Sequence, residues 1–530
     1  MTFDPLHYHY KSKRTVSYSC NGMVATCHPL ATQAGLDMLK RGGNAIDAAV
    51  ATATALTVLE PTSNGIGGDA FALVDYDGSI YGLNASGPAP MAISADAIDS
   101  IPRFGWPAVT VPGAPAAWIA LIDRFGSLPL KVVFEPAIRY AREGHPIAPL
   151  VGYYWKKAFE TFTHTCSDPY HQHWFDTFAP HGNPPKAGQI WKSEAHARTL
   201  QEIAETNGDS FYRGNLAQQI LSFAQKTGGL LSQEDLCQFY PEWVQPLSVQ
   251  YRGFTVYELP PNGQGLIALI ALGILSNLCI SHRQPEQILH HQIESIKIAF
   301  REGLRHITDP KFMHMEPKQL IQEDQLRCFM AEIMNHAVSR VEGDPMDGGT
   351  VYLTTADRHG NMVSYIQSNY MGFGSGLVVP NTGIALHNRG CNFSLDRSHP
   401  NFLVSGKRPY HTIIPGFMKA VDGTKVSFGV MGGFMQPQGH IQIIGNLLDH
   451  CLNPQDALNA PRWMWTRKNR VLVEKEFPAA LRSSLSKMGH EIEITESNGV
   501  FGRGQIIWRD RNAVYCGGTE PRADGSIAVW

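Results

Sequence analysis

From Asn44 to Leu59 the chain runs Asn-Ala-Ile-Asp-Ala-Ala-Val-Ala-Thr-Ala-Thr-Ala-Leu-Thr-Val-Leu, so rich in small residues that neighbouring backbones can approach it closely. Glu60-Pro61 ends the run, because proline lacks an amide hydrogen and disfavours helix at the residue before it. Such a segment predicts a central packing helix. The preceding stretch, Pro29 to Lys40, has helical spacing of its own and is stopped by Gly42-Gly43. A helix packed on all sides needs a large core, and 530 residues with 43% hydrophobic and only 17% charged side chains supply one. That composition excludes wholesale disorder, a collagen-like fibre and a long coiled coil. With 44 basic against 47 acidic residues the formal net charge is −3, which points to no nucleic acid or other polyanion as a partner.

The longest apolar stretch, Leu266 to Leu275, is interrupted by Gly273 and falls short of the ~18 residues that cross a bilayer. It reads as a buried helix, and no membrane span is expected. The start, Met1 to Arg14, carries no apolar run between a basic head and a small-residue cleavage site, so a cytoplasmic protein is expected. Nine cysteines, an odd number and never spaced Cys-x-x-Cys, read as free buried thiols. His171 and His173 flank Gln172 and His290-His291 are adjacent, but neither pair comes with a carboxylate or histidine at zinc-site spacing. No metal and no cofactor is expected.

Ala70 to Tyr76 and Ser79 to Leu83 are strand-like runs joined by Asp77-Gly78, which suits the positive φ angles of a tight hairpin turn. Ala116 to Met346 reads as mostly helical, with Glu194 to Glu205 as one example. Within it Phe254 to Leu259 alternates like a strand, and Pro260-Pro261-Asn-Gly-Gln-Gly265 turns the chain into the apolar helix. After Asp344-Pro345-Met-Asp-Gly-Gly349 the texture changes to hairpins. Thr350 to Ala356 and Asn361 to Gln367 flank the turn Asp357-Arg-His-Gly360, and strands are expected to dominate as far as Val430. Helical pattern returns at Gln438 to Leu448 and Pro454 to Asn459, with strands at Arg470 to Val473 and Gly504 to Trp508. Without repeats or linkers, this is one large α+β unit.

Gly348-Gly349-Thr350-Val351 places two glycines before a β-branched hydroxyl residue that opens a strand. Such a tripeptide is ordinarily a turn. Scission between Gly349 and Thr350 changes its chemistry, because the free α-amine then serves as general base for the threonine's own hydroxyl. Met431-Gly432-Gly433-Phe434, between a strand and a helical pattern, is either a tight turn or a place where bare backbone amides face an anion. Gly65-Ile-Gly-Gly68 and Gly372-Phe-Gly-Ser-Gly376 lack the spacing of a phosphate loop, so nucleotide binding is rejected. Gln367, Ser368, Asn369, Arg389 and Asn392 form a polar series after Thr350. In it Arg389 suits either a substrate carboxylate, which a guanidinium binds bidentately, or an internal acid. Lys407-Arg408-Pro409-Tyr410-His411-Thr412 carries too few charges for nucleic acid and reads as a structural corner leading into a strand-like run.

In their order these segments resemble the γ-glutamyltransferase family, the glutathione hydrolases and their acylase-like relatives among the N-terminal-nucleophile hydrolases. The resemblance covers nearly the whole chain. Its most specific pieces are Gly22-Met-Val-Ala-Thr26, Gly42-Gly-Asn-Ala-Ile-Asp-Ala-Ala49, Ser63-Asn-Gly-Ile-Gly-Gly68, Gly360-Asn-Met-Val-Ser364, Asn459-Ala-Pro-Arg462 and Glu520-Pro-Arg-Ala-Asp-Gly525. It implies a four-layer αββα sandwich made as one proenzyme, cut between Gly349 and Thr350 into a large segment 1–349 and a small segment 350–530 that stay associated. Thr350 is then the nucleophile, its α-amine the base, and Gly432 and Gly433 the oxyanion donors, with water or an amine acceptor completing turnover.

Carried over residue by residue, the resemblance also exposes departures. Counted from Gly360, the threonine that supports the nucleophile falls on Ser368, and the Asn or Glu two residues later falls on Tyr370, with Asn369 a substitute only after a one-residue shift. The Gln and Asp that grip a glutamyl α-amine correspond to Arg389 and Asn392, and the serine pair for the α-carboxylate to His411-Thr412. The arginine expected before Ala89-Pro90 is absent from Asn84-Ala-Ser-Gly-Pro88. The expected activity is hydrolysis of a small amide or peptide, with γ-glutamyl compounds such as glutathione the default. A glutaryl- or cephalosporin-type acylase acting on another N-acyl amide is the alternative, its acyl carboxylate set against Arg389. A non-catalytic binding or scaffold member is the alternative of another class, marked by an uncut chain.

Overall fold

The computed structural model describes residues 14–279, 283–340 and 349–530. The stretch 1–13, which carries the expectation of a cytoplasmic location, and Gly348 lie outside them.

The small-residue segment is the helix Ala45–Leu59, and every one of its side chains is buried. Asn44 caps it by accepting from the Ile46 and Asp47 amides, while the Asp47 carboxylate accepts from the Asn44 amide, a reciprocal pair that satisfies the free amides of the first turn. The buried threonines satisfy themselves one turn back, Thr52 donating to the Ala48 carbonyl at 2.7 Å and Thr54 to Val50 at 2.9 Å.

This helix and Pro29–Lys40 cover the outer face of a seven-stranded sheet. Its order is Ser526–Val529, Gly22–Thr26, Gly349–Asp357, Met362–Tyr370, Asp69–Tyr76, Ser79–Ala85 and Glu242–Val244. A second seven-stranded sheet runs Ser17–Ser19, Tyr515–Thr519, Arg503–Arg509, Lys425–Met431, Gly416–Ala420, Phe254–Glu258 and Leu247–Tyr251. Neighbouring strands within both sheets pair antiparallel. The helices Gly265–Ser276, Pro285–His306 and Met435–Leu448 pack on the outer face of the second sheet. Between the sheets lies a third apolar layer that includes Phe71, Tyr352, Ile366, Phe417 and Ile507. The alternation of side chains along a strand produces this division: Val351 and Leu353 face the helices while Tyr352 and Ala356 face the other sheet. The layers are therefore helix, sheet, sheet, helix.

Each sheet takes strands from both sides of the Gly349–Thr350 bond, and Gly349–Asp357 lies between Gly22–Thr26 and Met362–Tyr370. Cutting that bond would leave the two pieces interlocked, because Gly349–Asp357 and Ser526–Val529 both pair with Gly22–Thr26 and Met362–Tyr370 pairs with Asp69–Tyr76.

Several sequence expectations are corrected. Strands do not dominate from Met371 to Pro415, which holds one short 3-10 turn and isolated bridges. Tyr370 has φ 74°, and Gly372, Gly374, Gly376 and Gly383 also have positive φ, so the chain leaves the ladder and folds over the end of the sheet. The run after Pro409 forms only a bridge from His411 to Gly263, although the corner reading of Lys407-Arg408 fits: Lys407 donates to the Pro400 and Phe402 carbonyls and Arg408 to Glu242. The final third also holds the strands Trp463–Arg467, Glu491–Thr495, Tyr515–Thr519 and Ser526–Val529 and the helix Ala479–Lys487, which the sequence reading left out.

Candidate active site

Thr350 lies at an irregularity in the pairing of Gly349–Asp357 with Met362–Tyr370. Gly349 faces Tyr370 and Val351 faces Gln367, so Ser368 and Asn369 together oppose one residue. A bulge of this kind re-aims side chains at the end of a ladder. Here it brings Ser368 to Thr350: Thr350 Oγ1 donates to Ser368 Oγ at 3.1 Å, and Ser368 Oγ donates to the carbonyl of Gly349 at 2.6 Å. The Tyr370 amide donates to Ser368 Oγ at 2.8 Å and holds that hydroxyl in place. The hydroxyl and the carbonyl that precedes it are thus gathered on one serine, and both Thr350 and Ser368 are about 99% buried.

Gly349 is pressed against the backbone of Thr62, Ser63 and Gly372. The loop after Gly372 is anchored by Phe373, whose ring packs on Trp155, Trp174 and Phe178 at centroid distances of 5.5, 5.1 and 4.6 Å. Gly65 and Gly68 close round the Asn369 side chain so tightly that a Cβ on either would meet it at 2.8 Å. The Ser63 to Gly68 motif is therefore a cradle for the strand that carries Ser368.

The other candidates gather on the far side of Ser368. Arg389 is fully buried in the turn Arg389–Asn392; its Nη1 donates to Thr412 Oγ1 at 2.8 Å and its Nη2 lies 3.5 Å from Ser368 Oγ. The Tyr370 ring stacks on the guanidinium, 4.2 Å from Cζ to centroid. Tyr370, not Asn369, therefore packs on Arg389. His411 turns the other way and hydrogen-bonds through Nε2 with Asp69 at 3.0 Å, while Asn392 donates to the Tyr410 carbonyl.

Burial shapes the charges here. It pulls Arg389 down to about 10, which leaves the guanidinium protonated at neutral pH, and it lifts Asp69 to about 7 against the pull of Arg389. Burial and then Arg389 lower His387 to about 3 and His411 well below its usual value, so both imidazoles are neutral. Among the described residues no carboxylate lies within ion-pair distance of Arg389.

Gly432 and Gly433 follow the strand Lys425–Met431 with φ 141° and 56°, and neither gives its N–H to another group among the described residues. Gln264 ties this turn to the Arg389 cluster, its Nε2 donating to the Thr412 carbonyl at 2.6 Å and the Gly433 carbonyl at 2.8 Å. A Cβ on Gly432 would meet Gly502 Cα at 3.0 Å. Gly502 is held in turn by Arg462, which donates to the carbonyls of Phe501 and Gly502 and to Glu520 Oε2. Two sequence motifs thereby acquire a job: Asn459 to Arg462 and Glu520 to Gly525 brace the surface on which the glycine turn rests.

Sequence reasoning missed Gln264 and Asp69, although each has a signal: a polar residue directly ahead of an all-apolar helix, and an acid at the mouth of a hydrophobic strand. It also missed a carboxylate near His290. Glu294 lies one helical turn on, and His290, Glu294 and His490 come together, all buried. The group already holds protein cations: Glu294 accepts from Lys297 at 2.7 Å and lies 3.6 Å from Arg340, while His290 Nδ1 shares a hydrogen with His490.

Replacing Ser368 by alanine removes both the acceptor for the Thr350 hydroxyl and the donor to the Gly349 carbonyl. Self-cleavage is expected to slow about 10- to 100-fold, and Ser368→Thr to restore it. A denaturing-gel time course after synthesis reads both.

A family model described as gamma-glutamyltranspeptidase matches residues 31–530. The glutathione hydrolase-like YwrD proenzyme of Bacillus subtilis is 35% identical over 519 residues, covering 95% of this chain and 97% of that protein. The oxamate amidohydrolase proenzyme of Klebsiella pneumoniae is 33% identical, with 96% and 98% covered. Among solved structures, cephalosporin acylase from Bacillus halodurans is 54% identical with a TM-score of 0.97, covering 100% of this chain and 99% of that one.

Proposed function

The chain belongs to the gamma-glutamyltranspeptidase family, and from that premise we propose that it cuts its own Gly349–Thr350 bond and then hydrolyses amides through an ester on Thr350. The observation that carries this reading is the serine bridge, which joins the Thr350 hydroxyl to the carbonyl it must attack. In maturation Oγ1 bonds to the Gly349 carbonyl carbon, the C–N bond breaks, and the nitrogen keeps the proton that the hydroxyl gives up. Water hydrolyses the resulting ester, leaving a Gly349 carboxylate and a free Thr350 amine. Ser368 stabilises the carbonyl oxygen by its hydrogen bond as negative charge grows there.

In turnover the α-amine, which titrates at about 7.7–8.0 when unperturbed, takes the Oγ1 proton as the oxygen bonds to the substrate's acyl carbon. The free amides of Gly432 and Gly433 receive the developing oxyanion. The C–N bond breaks, the proton passes to the leaving amine, and water repeats the attack to release the acid. Segments 1–349 and 350–530 stay together through the shared sheets.

The acyl group carries a carboxylate. A fully buried guanidinium with no acid in ion-pair range is costly unless a ligand anion reaches it, and Arg389 stands beside the nucleophile. γ-Glutamyl compounds, glutaryl amides and oxamate all meet this demand, and glutathione and oxamate stand in the names of two relatives. Self-cleaved protein is expected to release p-nitroaniline from γ-glutamyl or glutaryl p-nitroanilide faster than from the uncharged butyryl compound. Arg389→Met should raise KM for the charged substrates about tenfold or more and leave the neutral one unchanged. Equal inactivity of cleaved protein on all three, and on oxalyl and malonyl p-nitroanilides as well, would overturn the proposal.

A further inference from the structure

The distance between the buried cation and the attacking oxygen sets a limit on what fits between them. One hydroxyl touches both: Ser368 Oγ lies 3.1 Å from Thr350 Oγ1 and 3.5 Å from Arg389 Nη2. Nucleophile and guanidinium are therefore no more than two hydrogen-bond lengths apart. The cation is also fixed. Its Nη1 is bound to Thr412 Oγ1, its face is covered by Tyr370, and its own amide donates to His387 Nδ1 at 3.2 Å. Thr412 is pinned through its carbonyl by Gln264, whose Oε1 accepts from Tyr410 at 2.9 Å. Arg389, Thr412, Tyr370, His387 and Gln264 are all fully buried, so nothing around the guanidinium is free to swing aside into solvent.

An acyl group bound to Thr350 has to lay its carboxylate on that guanidinium within this span. An extended carbon chain advances about 1.3 Å per bond, and the charge-assisted hydrogen bond at its end adds about 2.8 Å. A two-carbon acyl group, with its carboxylate bonded directly to the ester carbon, bridges the gap, and a three-carbon group does so with a bend. A five-carbon group carries its carboxylate about 4 Å further and has to fold back on itself or displace Arg389. The α-carboxylate of a γ-glutamyl group stands at the same five-carbon remove.

Resting on the amide-hydrolase reading above, we propose that Arg389 and Ser368 act as a ruler that selects monoamides of short dicarboxylic acids, of two or three carbons, over five-carbon acyl groups. Thr350 Oγ1 bonds to the acyl carbon as in the cycle already given, and the released acid is the short diacid.

The test uses self-cleaved wild-type protein and a length series of oxalyl, malonyl, succinyl and glutaryl p-nitroanilides, with γ-glutamyl p-nitroanilide and the uncharged acetyl and butyryl compounds alongside. The ruler predicts kcat/KM at least tenfold higher for the oxalyl or malonyl substrate than for the glutaryl and γ-glutamyl ones, with no such fall between the neutral pair. Equal or greater kcat/KM at five carbons overturns the ruler and leaves hydrolysis of carboxylate-bearing amides standing. Preference for the neutral compounds throughout overturns both.

Discussion

Thr350→Ala is expected to yield one uncut chain with no amidase activity and an intact fold. The substitution deletes the only atom that the mechanism bonds to carbon, and with it the route by which the Gly349–Thr350 bond opens. Activity is lost twice over, since the α-amine that acts as base exists only after that cut. Stability should change by no more than about 1 kcal/mol, because the change removes one hydrogen bond, to Ser368, at the end of a strand that stays paired on both edges. A denaturing gel, the amidase assay and a thermal melt separate these outcomes. A cut chain, or an uncut one that turns over substrate, would remove Thr350 from the role given to it.

The second large effect is expected at the glycine turn. Gly432 sits at φ 141°, where any other residue is strained, and its added Cβ would press on Gly502 Cα at 3.0 Å. Gly502 cannot yield easily, since Arg462 grips its carbonyl and that of Phe501. The turn itself must therefore move. Gly432→Ala is expected to cost roughly 1–3 kcal/mol of stability and to lower kcat by about 10²- to 10³-fold with little change in KM. This split follows from the role assigned to the amides, which meet charge that exists only as the bond forms. Steady-state kinetics on self-cleaved protein checks it. A rise in KM at unchanged kcat would make the turn part of a ground-state binding pocket instead.

Much of the frame could be read from local pattern. The helix Ala45–Leu59, its Asn44 cap, the hairpin through Asp77-Gly78 and the strand that opens at Thr350 each announce themselves through neighbours in sequence, so propensity and turn chemistry suffice. The stretch from Met371 to Pro415 does not. It looks strand-like because it is apolar and β-branched, yet its glycines take positive φ and its contacts are made with Gly67, Thr110 and Gly263, far away in the chain. Strand-rich patterning cannot reveal that kind of long-range commitment.

The candidate site divides along the same line. Thr350, Ser368, Arg389 and the two glycines were legible because their chemistry is distinctive and a family resemblance set their order. Gln264 and Asp69 were not, since a buried amide and a buried acid gain meaning only from partners such as the Gly433 carbonyl and His411, more than a hundred residues away. Glu294 shows a simpler limit: it stands four residues from His290, and a helix brings together residues four apart that adjacent-pair spacing does not reveal.

One covalent event, scission before Thr350, underlies the activity, and N-terminal sequencing with intact-mass measurement of the active protein reads it. Two polypeptides that remain bound are expected, one ending at Gly349 and the other beginning with Thr350. Fully active material made of one continuous chain, or a new terminus at any other residue, would contradict it.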